Sequence, residues 1–258
     1  MKSINNKRVW LITGVSTGLG KELAKLVVNK NERVVATFRS KEQADHFTDL
    51  EQGKLGLVLD VTNNSQITTG IEKSIEESPT EEIHRQFDVN VFGAIEMIKA
   101  VLPQMRKQKS GHILNITSVG GIIGFTGSGI YNASKFALEG IGQSLQLQIE
   151  HLGIRVTNIE PGPFRTDWAG RSANYTESKI GDYTESVGKN LEWVQSIDGE
   201  QAGDPVKAAK AMYEVSLLET PPLKLPLGEY AYEAISSHYK ASLNELMAYE
   251  SIGRPTDY

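Results

Sequence analysis

The chain has 258 residues, with 27 Lys and Arg against 32 Asp and Glu, a formal net charge of −5. Its 39% hydrophobic content is that of a globular domain large enough to fold without staples, and the absence of cysteine excludes disulfide frameworks, thiolate nucleophiles and cysteine-bound zinc. With slight acidity, no long Lys/Arg stripe and no run of ~18 apolar residues, neither nucleic acid nor membrane is expected as a partner.

Met1–Arg8 is polar and passes directly into the apolar run Val9–Thr13, without the longer apolar stretch and cleavage site of a secretory signal, so a cytoplasmic protein is expected. From there, short apolar runs ending in turn residues alternate with helical periodicity, the pattern of a doubly wound α/β domain with a parallel sheet. Strands are predicted at Arg8–Thr13, Arg33–Thr37, Leu55–Asp60, His112–Thr117 and Arg155–Glu160. Helices are predicted at Leu19–Lys30, Ser65–Ile75, Thr80–Gln108, Ile130–His151, Pro205–Leu218 and Glu229–Tyr249. A polar stretch from Ala169 to Asp204, dotted with Tyr175, Tyr183 and Trp193, reads as a substrate-loop cover within a single domain spanning 1–258.

The strand spacing is uneven. The first three strands begin at Arg8, Arg33 and Leu55, but the next begins at His112, more than twice that interval further on. Two helices in series would return the chain at the wrong end of a parallel sheet, because each parallel connection needs one crossover. One central strand is therefore expected to be missing, with the join at Ser74–Thr80, where Pro79 stands.

The strongest local motif is Thr13-Gly14-Val15-Ser16-Thr17-Gly18-Leu19-Gly20, placed where a strand turns into a helix. Its glycines allow backbone N–H groups to approach a pyrophosphate seated on the helix N-terminus; plain strand-to-helix geometry is the alternative. Arg39, just past the second strand, stands where no acidic residue is present to receive a ribose 2′-hydroxyl, and a cation there suits a 2′-phosphate, favouring NADP(H) over NAD(H). It reads equally as a solvated loop residue. Asp60 and Val61, ending the third strand, could meet an adenine edge, or Asp60 could cap the next helix.

A second constellation, Tyr131-Asn132-Ala133-Ser134-Lys135, sets a phenol and an ammonium at i and i+4 on one helix face. A neighbouring ammonium favours phenolate, so Tyr131 is expected to have a lowered pKa and to act as acid/base on an alcohol or carbonyl. Ser118 follows the strand His112–Thr117, at the carboxyl end where open α/β sheets bind ligands.

These motifs, with Asn90 in Phe87-Asp88-Val89-Asn90-Val91-Phe92-Gly93 and Pro161-Gly162 after the fifth predicted strand, resemble the short-chain dehydrogenase/reductase family from about Lys7 to Asp167. Pro161–Trp168 and the residues beyond resemble the branch that includes 17β-hydroxysteroid-dehydrogenase-like and retinol-dehydrogenase-like oxidoreductases. The resemblance implies a Rossmann-type fold and hydride transfer between NADP(H) and a small-molecule carbonyl/alcohol substrate. It further implies Tyr131 as acid/base, Lys135 on the nicotinamide ribose, Ser118 on the substrate oxygen and Asn90 in a proton relay, with Asn90 equally readable as a structural tie. Gly14, Ser16, Gly18, Leu19, Gly20, Arg39, Asp60 and Val61 would hold the adenosine and pyrophosphate end, and Pro161, Gly162 and Thr166 would border the nicotinamide. The family strand ending in Asn-Asn-Ala-Gly has no counterpart here, at the gap already noted, which predicts weakened activity or a non-catalytic nucleotide-binding homologue. The helices Thr80–Gln108 and Ile130–His151 resemble those that pair family subunits, so a homodimer or homotetramer is expected. His46, His84, His112, His151 and His238 lack metal-ligand spacing, and no metal site is expected.

Overall fold

The computed structural model describes residues 7–59, 69–72, 74–166, 173–175 and 180–257, with backbone alone for 69–72 and 173–175. Three parallel strands form the amino-terminal sheet: β1 (Val9–Ile12), β2 (Arg33–Phe38) and β3 (Lys54–Val58), in the order β1-β2-β3. In register, Ile12 stands beside Ala36 and Ala36 beside Gly56. A second parallel sheet has the order β5-β6-β8, from β5 (Gly111–Ile116), β6 (Ile154–Pro161) and β8 (Lys224–Leu227).

One core joins the two sheets. Helix α1 (Gly18–Asn29) packs with α7 (Pro205–Val215), and Val27, Val34, Ala36, Ile159, Met212 and Leu227 lie in a single buried cluster against which Leu114 of β5 also packs. Helix α7 starts sharply because Asp204 accepts from the N–H groups of Val206 and Lys207 and Pro205 has no N–H to lose. On the second sheet, Ile98 of α4 (Gly93–Gln108) and Leu145 and Ile149 of α5 (Gly129–Ile149) cover Ile113, Ile154 and Val156.

Among the described residues, β1 pairs only with β2 and β5 only with β6, so the sheet is divided by a seam. In chain order the division lies between β3 and β5, the interval in which the predicted strands are unevenly spaced. Segment β4 (Thr69–Glu72) does not fill it, since it pairs with β7 (Ala173–Tyr175) instead. This corrects the expected helix Ser65–Ile75, whose apolar spacing is too sparse to outweigh strand pairing at 69–72; residues 65–68 lie outside the described residues. The expected helix Thr80–Gln108 is one run in three parts: α3 (Thr80–Phe87), a π turn at Asp88–Phe92, and α4.

Several elements have no counterpart among the sequence predictions. Helix α2 (Lys41–Phe47) is short and charged, buries only Ala44, and is started by Ser40 accepting from the Gln43 N–H at 3.2 Å. Strand β8 contains Pro226, tolerated because it is an edge strand. Helix α6 (Lys189–Ser196) lies inside the stretch read as polar cover. The chain ends in α8 (Glu229–Ala248) and the short α9 (Glu250–Gly253).

Candidate active site

The glycine-rich turn leaves β1 with Gly14 at φ 68°, a left-handed conformation, and enters α1 with Gly18 at φ 59°. Thr17 is extended before the helix and its side chain makes no capping hydrogen bond. Gly20 is the steric key: a Cβ there would stand 2.5 Å from the Gly14 carbonyl oxygen. The turn is thus folded tightly onto the first turn of α1, with open space around Gly14 itself. Leu19 is half-buried against the main core. Ser16 Oγ and Gln43 Oε1 approach at 3.5 Å, and exposed Arg39 stands three residues past Ala36, the partner of Ile12 in register. Arg39 and the turn therefore leave the sheet at the same, carboxyl edge. Asp60 and Val61 lie outside the described residues.

Across the seam, β5 delivers Ser118. Its hydroxyl oxygen accepts from the Gly120 N–H at 3.0 Å at the start of a 3₁₀ turn, Val119–Gly121, and the Ser118 side chain hydrogen-bonds Tyr131. A buried residue without a predicted role, Asn132, fixes this pairing. Its amide donates to the carbonyls of Gly120 (2.8 Å) and Ile123 (3.3 Å), and its oxygen accepts from the Phe125 N–H at 3.0 Å. One side chain therefore clamps the 120–125 loop onto α5. Its burial and three partners depend on chain folding back, which spacing alone does not reveal.

Lys135 lies one turn beyond Tyr131, its Nζ 5.7 Å from the phenol ring centre and donating to the Ile116 carbonyl at 3.0 Å. Burial lowers the Lys135 ammonium to about 8. Burial also raises the Tyr131 phenol, against a lowering contribution from the Ser118 hydrogen bond. The phenol therefore stands above its ordinary value, where the i, i+4 spacing predicts a lowering by Lys135, because desolvation by burial is the largest contribution. The protonated form, which donates to a carbonyl oxygen, is the one the site favours.

Asn90 sits in the π turn, its amide donating to Ser134 Oγ at 3.0 Å, while that hydroxyl donates to the Tyr131 carbonyl at 2.7 Å. Here Asn90 is a tie between the π turn and α5. Pro161 ends β6 opposite Leu227, and the Gly162 N–H donates to the Leu227 carbonyl at 3.0 Å. Thr166 meets the turn from the other sheet: a Cβ on Gly18 would lie 3.6 Å from the Thr166 side chain. Ser118, Tyr131, Lys135 and Asn90 are therefore brought together on the β5/α5 side, and Gly14, Gly18, Gly20 and Thr166 form a second group facing the carboxyl ends of the strands.

Beneath the phenol and ammonium, the same helix carries a buried carboxylate, Glu139, whose Oε2 accepts from Asn158 Nδ2 at 2.7 Å. Its other oxygen and both oxygens of buried Glu160 have no hydrogen-bond partner. Burial, reinforced by Glu139 and opposed by Lys224, pushes the Glu160 carboxyl up from 4.5 to about 7. The folded state then holds the proton more tightly than the unfolded chain, so this contribution to stability is full below about pH 4.5 and is lost as pH rises through 7. Glu160→Gln should melt above the parent at pH 8, with the difference shrinking towards pH 5. Equal melting shifts at both pH values would show that the charge is not the cause.

The comparisons with known proteins agree with this geometry. The short chain dehydrogenase profile matches in two stretches, residues 8–80 and 68–176, that overlap at 68–80. Oxidoreductase BOA17 of Botryotinia fuckeliana is 33% identical over 250 positions, covering 88% of this chain and 90% of the relative. Since 88% of 258 residues is about 227, about 23 aligned positions have no residue in this chain. The 3-ketodihydrosphingosine reductase of Bacteroides thetaiotaomicron is 30% identical, covering 86% of this chain and 88% of the relative. A short-chain dehydrogenase from Streptomyces avermitilis superposes with a TM-score of 0.86 at 32% identity, covering 98% of this chain and 100% of that one. Two more distant enzymes share the fold. One, from Burkholderia phymatum in complex with NAD, has a TM-score of 0.74 at 19% identity, covering 92% of this chain and 95% of its own. The other, from Burkholderia cenocepacia in complex with NADP, has a TM-score of 0.67 at 20% identity, covering 94% and 96%. On the strength of the matched profile and relatives, the chain belongs to the short-chain dehydrogenase family of oxidoreductases.

Proposed function

We propose that this protein reduces a carbonyl, or oxidises the corresponding alcohol, on a small or medium apolar substrate with NADP(H). The observation that carries the reading is the Ser118–Tyr131 hydrogen bond with Lys135 one helical turn away. The turn fits a dinucleotide: it has left-handed glycines, open space at Gly14 and an N-terminal helix end facing it. NADPH, when bound, supplies the hydride. Tyr131, held protonated by burial, gives its proton to the substrate oxygen, while the Ser118 hydroxyl steadies that oxygen as charge develops. Lys135 would hold the nicotinamide ribose, Pro161, Gly162 and Thr166 would border the ring, and Asn90 fixes the helix that carries the acid.

Distant enzymes of the fold are complexed with NAD in one case and NADP in another, so the preference rests on Arg39. Arg39→Ala should weaken NADPH binding about tenfold, the loss of one charge-assisted phosphate contact, and leave NADH binding unchanged. Titration of both cofactors by fluorescence and thermal shift tests the whole reading; failure of both to bind would overturn it. The seam favours one alternative, a nucleotide-binding homologue with impaired turnover. Segment 169–204 would serve as the substrate loop, and exposed Phe92, Phe136 and Leu147 on or beside α4 and α5 support a homodimer or homotetramer.

A further inference from the structure

We propose that Lys224 is a pH-operated latch for the carboxyl-terminal helix: its ammonium holds α8 by donating to Tyr239, and it is drawn inward when buried Glu160 loses its proton. Release of Tyr239 loosens α8 and the loop after Ser118 on which α8 is seated. None of the four groups involved, Glu139, Glu160, Lys224 and Tyr239, belongs to the cofactor or substrate machinery, so the latch is independent of the reaction proposed above.

Strand register brings the parts together. Asn158 and Glu160 alternate onto one face of β6, and Lys224 stands opposite Asn158 in the neighbouring β8, so the lysine leaves the sheet on that same face. Helix α5 covers it, with Asn158 Nδ2 donating to the Glu139 carbonyl at 3.2 Å and to Glu139 Oε2 at 2.7 Å. Asn158 Oδ1 is taken by the Asn115 amide at 3.0 Å. Glu139 Oε1 and both oxygens of Glu160 are left buried without a hydrogen-bond partner, and the Lys224 ammonium donates instead to the Tyr239 hydroxyl at 2.9 Å. Tyr239 belongs to a lightly held helix. Only Ala231 and Ile235 of α8 are buried, in a cluster with Val119 and Ile122 of the loop that follows Ser118. The Lys224–Tyr239 bond lies one helical turn past Ile235 and is the only side-chain hydrogen bond from α8 to another element among the described residues.

Charge supplies the pull. The charged groups that act on Glu160 are Glu139 from α5 and Lys224 from β8, and burial together with Glu139 places its titration at about 7. The turn Val119–Gly121, packed on the same strand, has no titratable side chain, and His112 of β5 bonds Thr157 on the opposite face of the sheet. Lys224 in turn is acted on by burial, by Tyr239 from α8, and by Glu139 and Glu160. While Glu160 holds its proton, the buried layer carries one carboxylate, already bonded by Asn158, and the ammonium rests on the phenol. Once Glu160 ionises, two buried carboxylates present three unpaired oxygens. An unpaired buried charge costs more than one hydrogen bond to an exposed phenol, and the flexible lysine stem allows the ammonium to turn inward. His238, whose ring centre is 6.0 Å from that of Tyr239, is the other titratable neighbour on α8 and needs its own control.

Amide hydrogen exchange on the full chain at pH 6 and pH 8, expressed as protection factors so that the intrinsic pH dependence drops out, tests the latch. Protection of α8 and of residues 119–125 should fall about tenfold from the lower to the higher pH, the size of one lost hydrogen bond to a charged group. Tyr239→Phe keeps the ring and deletes the acceptor, so both segments should be about tenfold less protected already at pH 6 and fall no further at pH 8. Glu160→Gln should keep the parent's pH 6 protection at both pH values, and His238→Gln should behave as the parent. Lys224→Met should match Tyr239→Phe, which keeps the test decisive if Glu160→Gln does not fold. A fall with pH that is as large in Tyr239→Phe as in the parent would overturn the proposal, because it would reflect a loss of global stability alone. So would a fall that persists in Glu160→Gln, a fall abolished by His238→Gln, or full protection of Tyr239→Phe at pH 6.

Discussion

Tyr131→Phe should lower the rate of NADPH-dependent carbonyl reduction by about 10²–10⁴-fold and leave NADPH affinity unchanged. The substitution removes one oxygen from a ring whose position is set by other contacts. The Asn132 clamp and the Asn90–Ser134 tie hold α5 without the phenol. The measurement is kcat beside a separate cofactor titration. A fall in kcat alone identifies Tyr131 as the proton donor, whereas a parent and variant with equal, low turnover would favour the nucleotide-binding homologue. Ser118→Ala is the useful companion, because it deletes the hydrogen bond that lowers the phenol and should shift the basic limb of the pH profile upward.

The second large effect is steric. Gly20→Ala drives a methyl to within 2.5 Å of the Gly14 carbonyl oxygen and 3.1 Å of the Thr13 carbonyl oxygen, and both obstacles are backbone. Neither rotates away as a side chain would, so the turn must open. An overpacking cost of about 1–3 kcal/mol follows, with a loss of at least tenfold in NADPH affinity because the N–H groups of the turn no longer converge. Gly124→Ala is the control: its added Cβ meets nothing within 4 Å. Equal cofactor affinity in the two variants would show that the tight turn is not the cradle.

The first two strands and the turn after β1 are readable because hydrophobic patterning and turn chemistry agree. Apolar Val9–Ile12 runs into a glycine turn, and Val34, Ala36 and Phe38 alternate as buried residues on β2. What escaped the sequence is tertiary. Thr69–Glu72 carries too little pattern to choose a strand until Ala173–Tyr175 lies beside it. Asn132 looks like a spacer within YxxxK until the 120–125 loop folds over it. The direction of the Tyr131 shift depends on how much water the packed loop excludes, a quantity that i, i+4 spacing does not contain.

Leu55 and Leu57 of β3 are exposed at 37% and 43%, on the same amino-terminal sheet as exposed Val9 and Leu11, with β2 between. That wet apolar area governs how the purified protein behaves as a colloid. A net charge of −5 supplies the repulsion that keeps copies apart near neutrality, and it vanishes near the sequence isoelectric point of 5.6. Sulfate and phosphate strengthen apolar contact by exclusion from the surface. Light scattering should therefore rise steeply as buffer is taken from pH 8 towards pH 5.6, and further with ammonium sulfate, while the same titration with Leu55→Lys stays clear over a wider range.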